Sequence, residues 1–388
     1  MAAPAQFSTD HFALKLGLFY AAYFFFGGVQ LPFFPVWLQA RGLDAETIGL
    51  MIAVPTLVRI AVTPIISHQA DRHRALKAVL VIGSVTGLFA MTVVGLVDGA
   101  IAILAAFTVA MAALAPMLSM TDAYALSGLS VRARAYGPVR LWGSVAFIAG
   151  NVGAGFILHF IAPGQLIWLI VSSLVIVVLT AIALVPLDLG GTASQAAPRR
   201  SPMTLLRMPA FLAVALASSM IQGSHALYYG FSTLEWRALG IDGTVIGALW
   251  GLGVLAEIVL FAYSTRLPGA LRPTALMVIG GIGALIRWTA MAFDPPMAAL
   301  PALQLLHAAS FGATHLGAMG YLARAISRDM AATAQGLVAT LSGIVTASAT
   351  ALSGLAYARS GSTAYLLMAA MALVGMLSAL YAGRRWRD

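Results

Sequence analysis

The chain has 388 residues, of which 61% are hydrophobic and only 9% are charged. A soluble domain must cover itself with polar side chains, so this composition excludes one. The absence of cysteine excludes disulfides, thiolate metal sites and a cysteine nucleophile.

The apolar residues fall in runs of about twenty, the length that a helix needs to cross a bilayer core. The first run is too long for a signal-peptide core and has no clear cleavage site, so it is predicted as the first helix. The fold class predicted is all-α integral membrane with twelve transmembrane helices. They are placed at 14–38, 47–67, 76–97, 100–122, 137–161, 166–186, 208–233, 244–264, 273–293, 298–322, 334–357 and 363–383.

A flexible linker lies almost midway along the chain, with six predicted helices on each side. The predicted domains are an N-terminal six-helix bundle at 1–189, a cytoplasmic linker at 190–203 and a C-terminal six-helix bundle at 204–388. An internal repeat agrees with this division, because the sequence pattern of 42–49 recurs at 240–247. Parallel repeats of this kind occur in two-bundle transporters.

The lysines and arginines gather on one side of the predicted helices. Seventeen of the 22 fall in the segments on the side of the N-terminus, three in the opposite loops and two inside helices. The positive-inside rule then places both termini in the cytoplasm. The net charge of +9 therefore reports topology, and no nucleic-acid partner is expected.

Five charged residues are predicted inside or at the ends of membrane helices. Arg59, Glu257 and Arg287 lie near the middle of helices 2, 8 and 9, where an ionised group costs roughly 2.5–3.5 kcal/mol. Asp122 ends helix 4 and Arg140 begins helix 5. A structural ion pair is the plain alternative for each. Because these arginines outnumber the acids, we expect a site for an anion, held by guanidinium.

Histidines and aromatic residues line two helical faces in the second half. Intramembrane stripes of this kind line something wetter than lipid, and histidine titrates near neutral pH. We therefore predict a cavity wall with candidate proton carriers. The two stripes are His225, Tyr229, Ser232 and Trp236 on helix 7, and Gln304, His307, Phe311 and His315 on helix 10.

Sequence signatures of enzymes are missing. There is no His-Glu-x-x-His, Gly-x-Ser-x-Gly or phosphate loop, and Gly251-x-Gly253 lies inside an apolar run with no preceding strand. We expect no catalytic activity, no metal and no cofactor.

Short runs along the chain carry a resemblance to a known family: 23–26 (YFFF), 32–38 (PFFPVWL), 136–144 (YGPVRLWGS), 225–232 (HALYYGFS), 256–257 (AE), 286–288 (IRW) and 306–307 (LH). They resemble the lactose-permease branch of the major facilitator superfamily, and within it the phenylpropionate-permease-like proton symporters. The resemblance implies proton-coupled symport by alternating access.

The resemblance also implies roles for individual residues. Asp122 and Arg140 match a substrate-binding pair, and Glu257, Arg287 and His307 match residues for substrate binding and proton coupling. Ser310 stands where that branch carries an acid, so the proton holder is Glu257, Asp122 or a histidine. Asp71 and Arg72 match a cytoplasmic gating motif that is otherwise degenerate here.

The leading prediction is a proton-coupled importer of a small organic solute, most simply a carboxylate, aromatic acids included. It would sit as a monomer in a bacterial inner membrane. One alternative is a proton symporter for a sugar or nucleoside. Another is a membrane sensor or assembly factor that moves nothing.

Overall fold

The computed structural model describes residues 11–73, 75–187, 201–266, 271–327 and 329–386. Within them the chain is helical, with short 3₁₀ and π segments and no strand. The helices are α1 (Phe12–Ala40), α2 (Ala45–His73), α3 (Leu76–Leu96), α4 (Ala100–Leu114), α5 (Met117–Val131), α6 (Tyr136–Ile157), α7 (Leu166–Ala183), α8 (Met203–Leu206), α9 (Pro209–Gly223), α10 (Ala226–Ala238), α11 (Gly243–Tyr263), α12 (Pro273–Met291), α13 (Leu300–Leu305), α14 (Thr314–Ala325), α15 (Ala331–Ser360) and α16 (Tyr365–Arg385).

Three of the predicted spans are interrupted helices. The break between α4 and α5 falls at Pro116, which has no backbone N–H to donate. A second break separates α9 from α10 at Ser224 and His225. A π segment at Ala308–Ala313 separates α13 from α14, and such segments often occur at functional sites.

Counting each interrupted pair as one span and leaving out the four-residue α8, the described helices form twelve spans, as predicted. Nine stretches are long and apolar enough to cross a membrane, and the longest, Ala331–Arg385, contains two helices. The spans that fall short of this criterion are α6 and the interrupted run from α13 to α14. The protein is an integral, multi-pass membrane protein.

The predicted end of the seventh span needs a correction. The sequence places it at residue 233, but α10 continues to Ala238. Glu235 therefore lies inside the helix and is buried, although the predicted boundary left it in a loop.

The first compact unit comprises the described residues of 11–30, 61–150 and 167–187. Here α3 packs against α4 and α5. The contact is close because Gly87 has no side chain, and a Cβ on it would lie 2.7 Å from a methyl carbon of Leu114. This packing fixes α5, which carries Asp122.

The second compact unit comprises the described residues of 31–60, 151–166 and 201–386. Helix α9 packs against α15 and α16, and α12 packs against α14 and α16. At one end, Gly155 meets Gly243 and Gly247 meets Asn151 backbone to backbone, so a Cβ on either of Gly155 and Gly247 would collide. Small residues permit such close approach of helices in membranes.

The predicted linker 190–203 lies, up to residue 200, outside the described residues. The division into two six-helix bundles at that point stays a prediction.

Candidate functional site

Asp122 is the centre of a polar cluster in the first unit. Its Oδ1 accepts hydrogen bonds from the hydroxyls of Tyr20, at 2.5 Å, and Tyr136, at 2.8 Å. Each tyrosine comes from a different helix, α1 or α6, so the carboxylate ties three helices together. Hydrogen bonds to an ionised acceptor are roughly twice as strong as neutral ones.

Arg140 lies beside this cluster, one turn along α6 from Tyr136. Its guanidinium carbon lies 4.0 Å from the ring centre of Phe24 and 5.4 Å from that of Tyr20. Arginine stacks on aromatic faces and still presents its N–H groups at the edge of the plane. The side chain is half-buried, and it forms no ion pair in the described part of the chain. The predicted Asp122–Arg140 pair is thus brought together through Tyr20 and Tyr136 instead of by direct contact.

Arg287 is the centre of a second cluster, in the second unit. It is fully buried, and its Nη2 donates to Gln304 Oε1 at 2.6 Å. The guanidinium carbon lies 4.5 Å from the ring centre of Tyr228 and 4.6 Å from that of Trp288. Its Nε has no hydrogen-bond partner within the described residues. A buried cation surrounded by neutral groups keeps an uncompensated charge, which attracts an anion.

His307 links Arg287 to Glu257. Its Nδ1 lies 3.2 Å from Nη1 of Arg287, and its Nε2 lies 3.4 Å from Oε2 of Glu257. Arginine can only donate, so Nδ1 of His307 must accept and its proton sits on Nε2, facing the carboxylate. The arrangement is a continuous chain from Gln304 through Arg287 and His307 to Glu257.

His225 lies at the break between α9 and α10 and packs on the same cluster. Its Nδ1 lies 3.1 Å from the carbonyl oxygens of Ile221 and Gln222, so that nitrogen carries the proton. Its Nε2 then accepts from the Ser310 hydroxyl at 3.1 Å. The π segment that follows His307 positions Ser310 for this contact.

Rings extend the second cluster. The ring centre of His225 lies 5.4 Å from that of His307 and 5.7 Å from that of Tyr229, on which it stacks. Of the predicted residues in this unit, the structure therefore groups His225, Tyr229, Glu257, Arg287 and His307. His315 is more exposed, with its ring centre 6.2 Å from that of Phe261, and it interacts electrostatically with Glu257.

The prediction of a buried charge at Arg59 is wrong. Its side chain is exposed in the structure and is not covered by neighbouring side chains. Arg72, predicted to gate, lies exposed in the last turn of α2. The side chain of Asp71 lies outside the described part of the structure.

The aromatic partners of both arginines were not predicted from the sequence. Tyr20, Phe24 and Tyr136 surround the first, and Tyr228 and Trp288 the second. Most of these residues stand within the runs that carry the family resemblance, and this was the available signal. Helical periodicity could not pair them with arginines on other helices.

A further ion pair lies outside the spans, in the second unit. His159, just after α6, contacts the carboxylate of Asp242, the residue that caps α11. The backbone carbonyl of Phe156 and the Asp242 carboxylate raise the pKa of His159. Partial burial opposes the change at Asp242, but hydrogen bonds from His159 and the N–H of Thr244 lower its pKa.

These features define a membrane transporter fold with one arginine-centred polar cluster in each unit. A family model described as the MFS_1-like family matches residues 13–368. The chain belongs to this family of the major facilitator superfamily, whose members are transporters and not enzymes, and it is a solute transporter.

Two curated proteins are similar along much of their length. A probable 3-phenylpropionic acid transporter of Escherichia coli (strain K12) is 31% identical over 93% of this chain and 95% of that protein. The maltose permease of Geobacillus stearothermophilus is 26% identical over 72% of this chain and 71% of that protein.

Solved structures agree on the fold. The nucleoside transporter NupG has a TM-score of 0.80 at 15% identity, covering 98% of this chain and all of that one. A bacterial homologue of the human lysosomal transporter Spinster, inward-facing and unoccupied, has a TM-score of 0.70 at 14% identity, covering 97% of this chain and 98% of that one.

Proposed function

We propose that this transporter is a proton-coupled importer of small organic carboxylates, aromatic acids included. The observation that carries the proposal is the state of the two arginines. Neither Arg140 nor Arg287 forms an ion pair with a carboxylate in the described residues, and each lies against aromatic rings. A guanidinium without a counter-ion, beside an aromatic face, suits a ligand that carries a carboxylate and a ring.

Arg140 is the proposed carboxylate ligand. It is half-buried, so it can lose water when the ligand binds without first breaking an ion pair. Asp122 does not compete for it directly, because Tyr20 and Tyr136 satisfy that carboxylate. The ring of Phe24, which is half-buried, offers a surface for an aromatic ligand. The similarity to a probable 3-phenylpropionic acid transporter supports this chemistry.

The chain from Arg287 to Glu257 is the proposed coupling device, with His225 and Tyr229 beside it. Protonation of Glu257 removes the negative charge that His307 faces, and that change reaches Arg287 through one imidazole ring. His307 directs its Nε2–H toward Glu257, so gain or loss of a proton by Glu257 changes this contact directly. Proton and substrate together would then shift the population of states by which alternating access proceeds.

The proposal includes the setting of the protein. The bias of 17 among 22 basic residues places both termini in the cytoplasm. The protein would be a monomer in a bacterial inner membrane. Arg72 and Asp71 would contribute to a cytoplasmic gate.

A second candidate function is proton symport of a sugar or nucleoside. Asp122 with two tyrosine hydroxyls can accept and donate hydrogen bonds to ligand hydroxyls. The fold shared with NupG and the similarity to a maltose permease favour this alternative.

Uptake by protein reconstituted into vesicles separates the two candidates. Under an inward proton gradient, 3-phenylpropionate should accumulate, and excess unlabelled carboxylate should compete while its amide, maltose and uridine should not. Proton-driven accumulation of maltose or uridine, with none of 3-phenylpropionate, would favour the second candidate. A lack of proton-driven uptake of all three would contradict both.

A further inference from the structure

A buried carboxyl near the end of α10 has no part in either cluster. Glu235 is only 6% exposed, and its Oε2 has no hydrogen-bond partner in the described structure. Burying a carboxylate without a cation is unfavourable, so such a group holds a proton or binds a cation.

Glu235 lines a cavity of about 500 Å³ at this end of α10. Two more carboxylates, Asp242 and Asp294, line the same cavity, and Leu300 and Met297 form part of its apolar wall. This space holds several water molecules, each of which occupies about 30 Å³ in the liquid. In the proposed orientation the cavity faces the outside, so a proton from external water can reach Glu235.

The ionisable groups that face Glu235 are acids and phenols. Asp294 approaches from the turn after α12, Tyr357 from α15 and Tyr365 from the start of α16. Asp242 shares the cavity but is already paired with His159. None of these described groups is a cation that could neutralise Glu235. These surroundings favour binding of a proton by Glu235 over binding of a metal ion, because a single carboxyl can hold a proton whereas a metal ion needs several ligands.

Tyr365 connects Glu235 to the Arg287 cluster. Its hydroxyl has no hydrogen-bond partner in the described residues, and the side chain interacts electrostatically with both Glu235 and Arg287. Its ring stacks on that of Trp288 at 5.7 Å, and Trp288 in turn lies against Arg287. One side chain therefore separates the charge on Glu235 from the buried arginine.

We propose that Glu235 is a proton-binding group, loaded from the outer cavity, that acts ahead of Glu257 in proton coupling. The carboxylate accepts a proton from cavity water and becomes a neutral carboxyl, and releasing it to water restores the charge. Neutralisation removes a negative charge next to Tyr365 and so changes the field at Arg287. The inference rests on the proposed coupling and orientation, but proton binding itself can be tested without either.

Infrared difference spectroscopy of the purified full-length protein, between mildly acidic and alkaline pH, tests the binding step without a substrate. The carbonyl band of a protonated buried carboxyl should appear in the wild type, persist in Asp294→Asn and be missing from Glu235→Gln. Tyr365→Phe, which keeps the carboxyl, should shift that band. A spectrum unchanged in both Glu235→Gln and Tyr365→Phe overturns the proposal. Loss of the band from Asp294→Asn but not from Glu235→Gln also overturns the proposal. So does a band that disappears when sodium is added but does not respond to pH.

Transport by the same variants tests the coupling step. With 3-phenylpropionate as the probe, Glu235→Gln should lose at least about tenfold in gradient-driven accumulation and keep exchange of internal for external probe. Full accumulation by Glu235→Gln would overturn the coupling role. If the wild type itself accumulates nothing, the proposed function fails, and the infrared result still decides whether Glu235 binds a proton.

Discussion

The two arginine-centred clusters use the same residue type in different surroundings. Arg140 in the first unit is half-buried, stacked on aromatic rings and without an ion pair in the described structure. Arg287 in the second unit is fully buried and engaged by Gln304 and His307, which leads on to Glu257. A partly solvated guanidinium can exchange water for an anion. One held in a buried network responds mainly to the charge of its neighbours. This difference supports the proposal that the first cluster binds the carboxylate and the second takes part in proton coupling.

Removing the first guanidinium is expected to have the largest effect. Arg140→Ala should weaken carboxylate binding about a hundredfold, since a buried charge-assisted contact contributes about 2–5 kcal/mol. Isothermal titration calorimetry on purified protein measures the change. Arg132→Ala is the matched control, because its guanidinium also stacks on a ring in this unit, 4.3 Å from the centre of Phe12. Equal losses in both variants would remove the special role of Arg140.

Neutralising the second cluster should separate coupling from binding. Glu257→Gln keeps the shape of the side chain but cannot gain or lose a proton beside His307. We expect gradient-driven accumulation in vesicles to disappear while exchange without a gradient continues at a rate within a few-fold of wild type. Proton-driven uptake that is unchanged in this variant would end the coupling role of the cluster.

The support around Asp122 should give a smaller effect. Tyr20→Phe and Tyr136→Phe each remove one hydroxyl that donates to the carboxylate. Each lost hydroxyl leaves Asp122 freer to compete for Arg140, so binding should weaken about fivefold in each variant, or about 1 kcal/mol. Calorimetry on the single and double variants gives their coupling. Effects that simply add would mean that the two tyrosines do not act through Asp122.

The smallest expected effect concerns the exposed pair of His159 and Asp242 in the second unit. Its response to pH is independent of the proposed proton coupling. The pKa of His159 is raised, so its attraction to Asp242 is present at acidic pH and is lost as pH rises through that raised value. The pKa of Asp242 is lowered, so the attraction is lost only at strongly acidic pH. The pair should therefore hold the end of α6 against the start of α11 most firmly in a mildly acidic medium.

The chain has no cysteine, so a single introduced thiol can report on this pair. In Leu239→Cys, labelling should be slower at mildly acidic pH than in the same protein carrying His159→Gln. The two should converge at alkaline pH, and comparing them at each pH cancels the intrinsic reactivity of the thiol. A ratio that does not vary with pH would contradict the assignment, but it would leave the coupling role of Glu257 intact.

The twelve spans could be predicted from the sequence because run length and polarity depend on the bilayer alone. The residues of both clusters were also found, since an ionisable side chain in an apolar run is conspicuous. Their partners were not, because contacts such as Tyr20 with Asp122 join helices far apart in sequence. Arg59 was misjudged because a position along a helix does not reveal which face is covered. Glu235 was missed because the end of its helix was set five residues short.

The central claim is that this transporter recognises a carboxylate through Arg140. Calorimetric titration of the wild type with 3-phenylpropionate and with its amide tests it most directly. The carboxylate should bind at least about tenfold more tightly than the amide, and Arg140→Ala should abolish this difference. Equal binding of acid and amide by the wild type, or a preference that survives in Arg140→Ala, would contradict it.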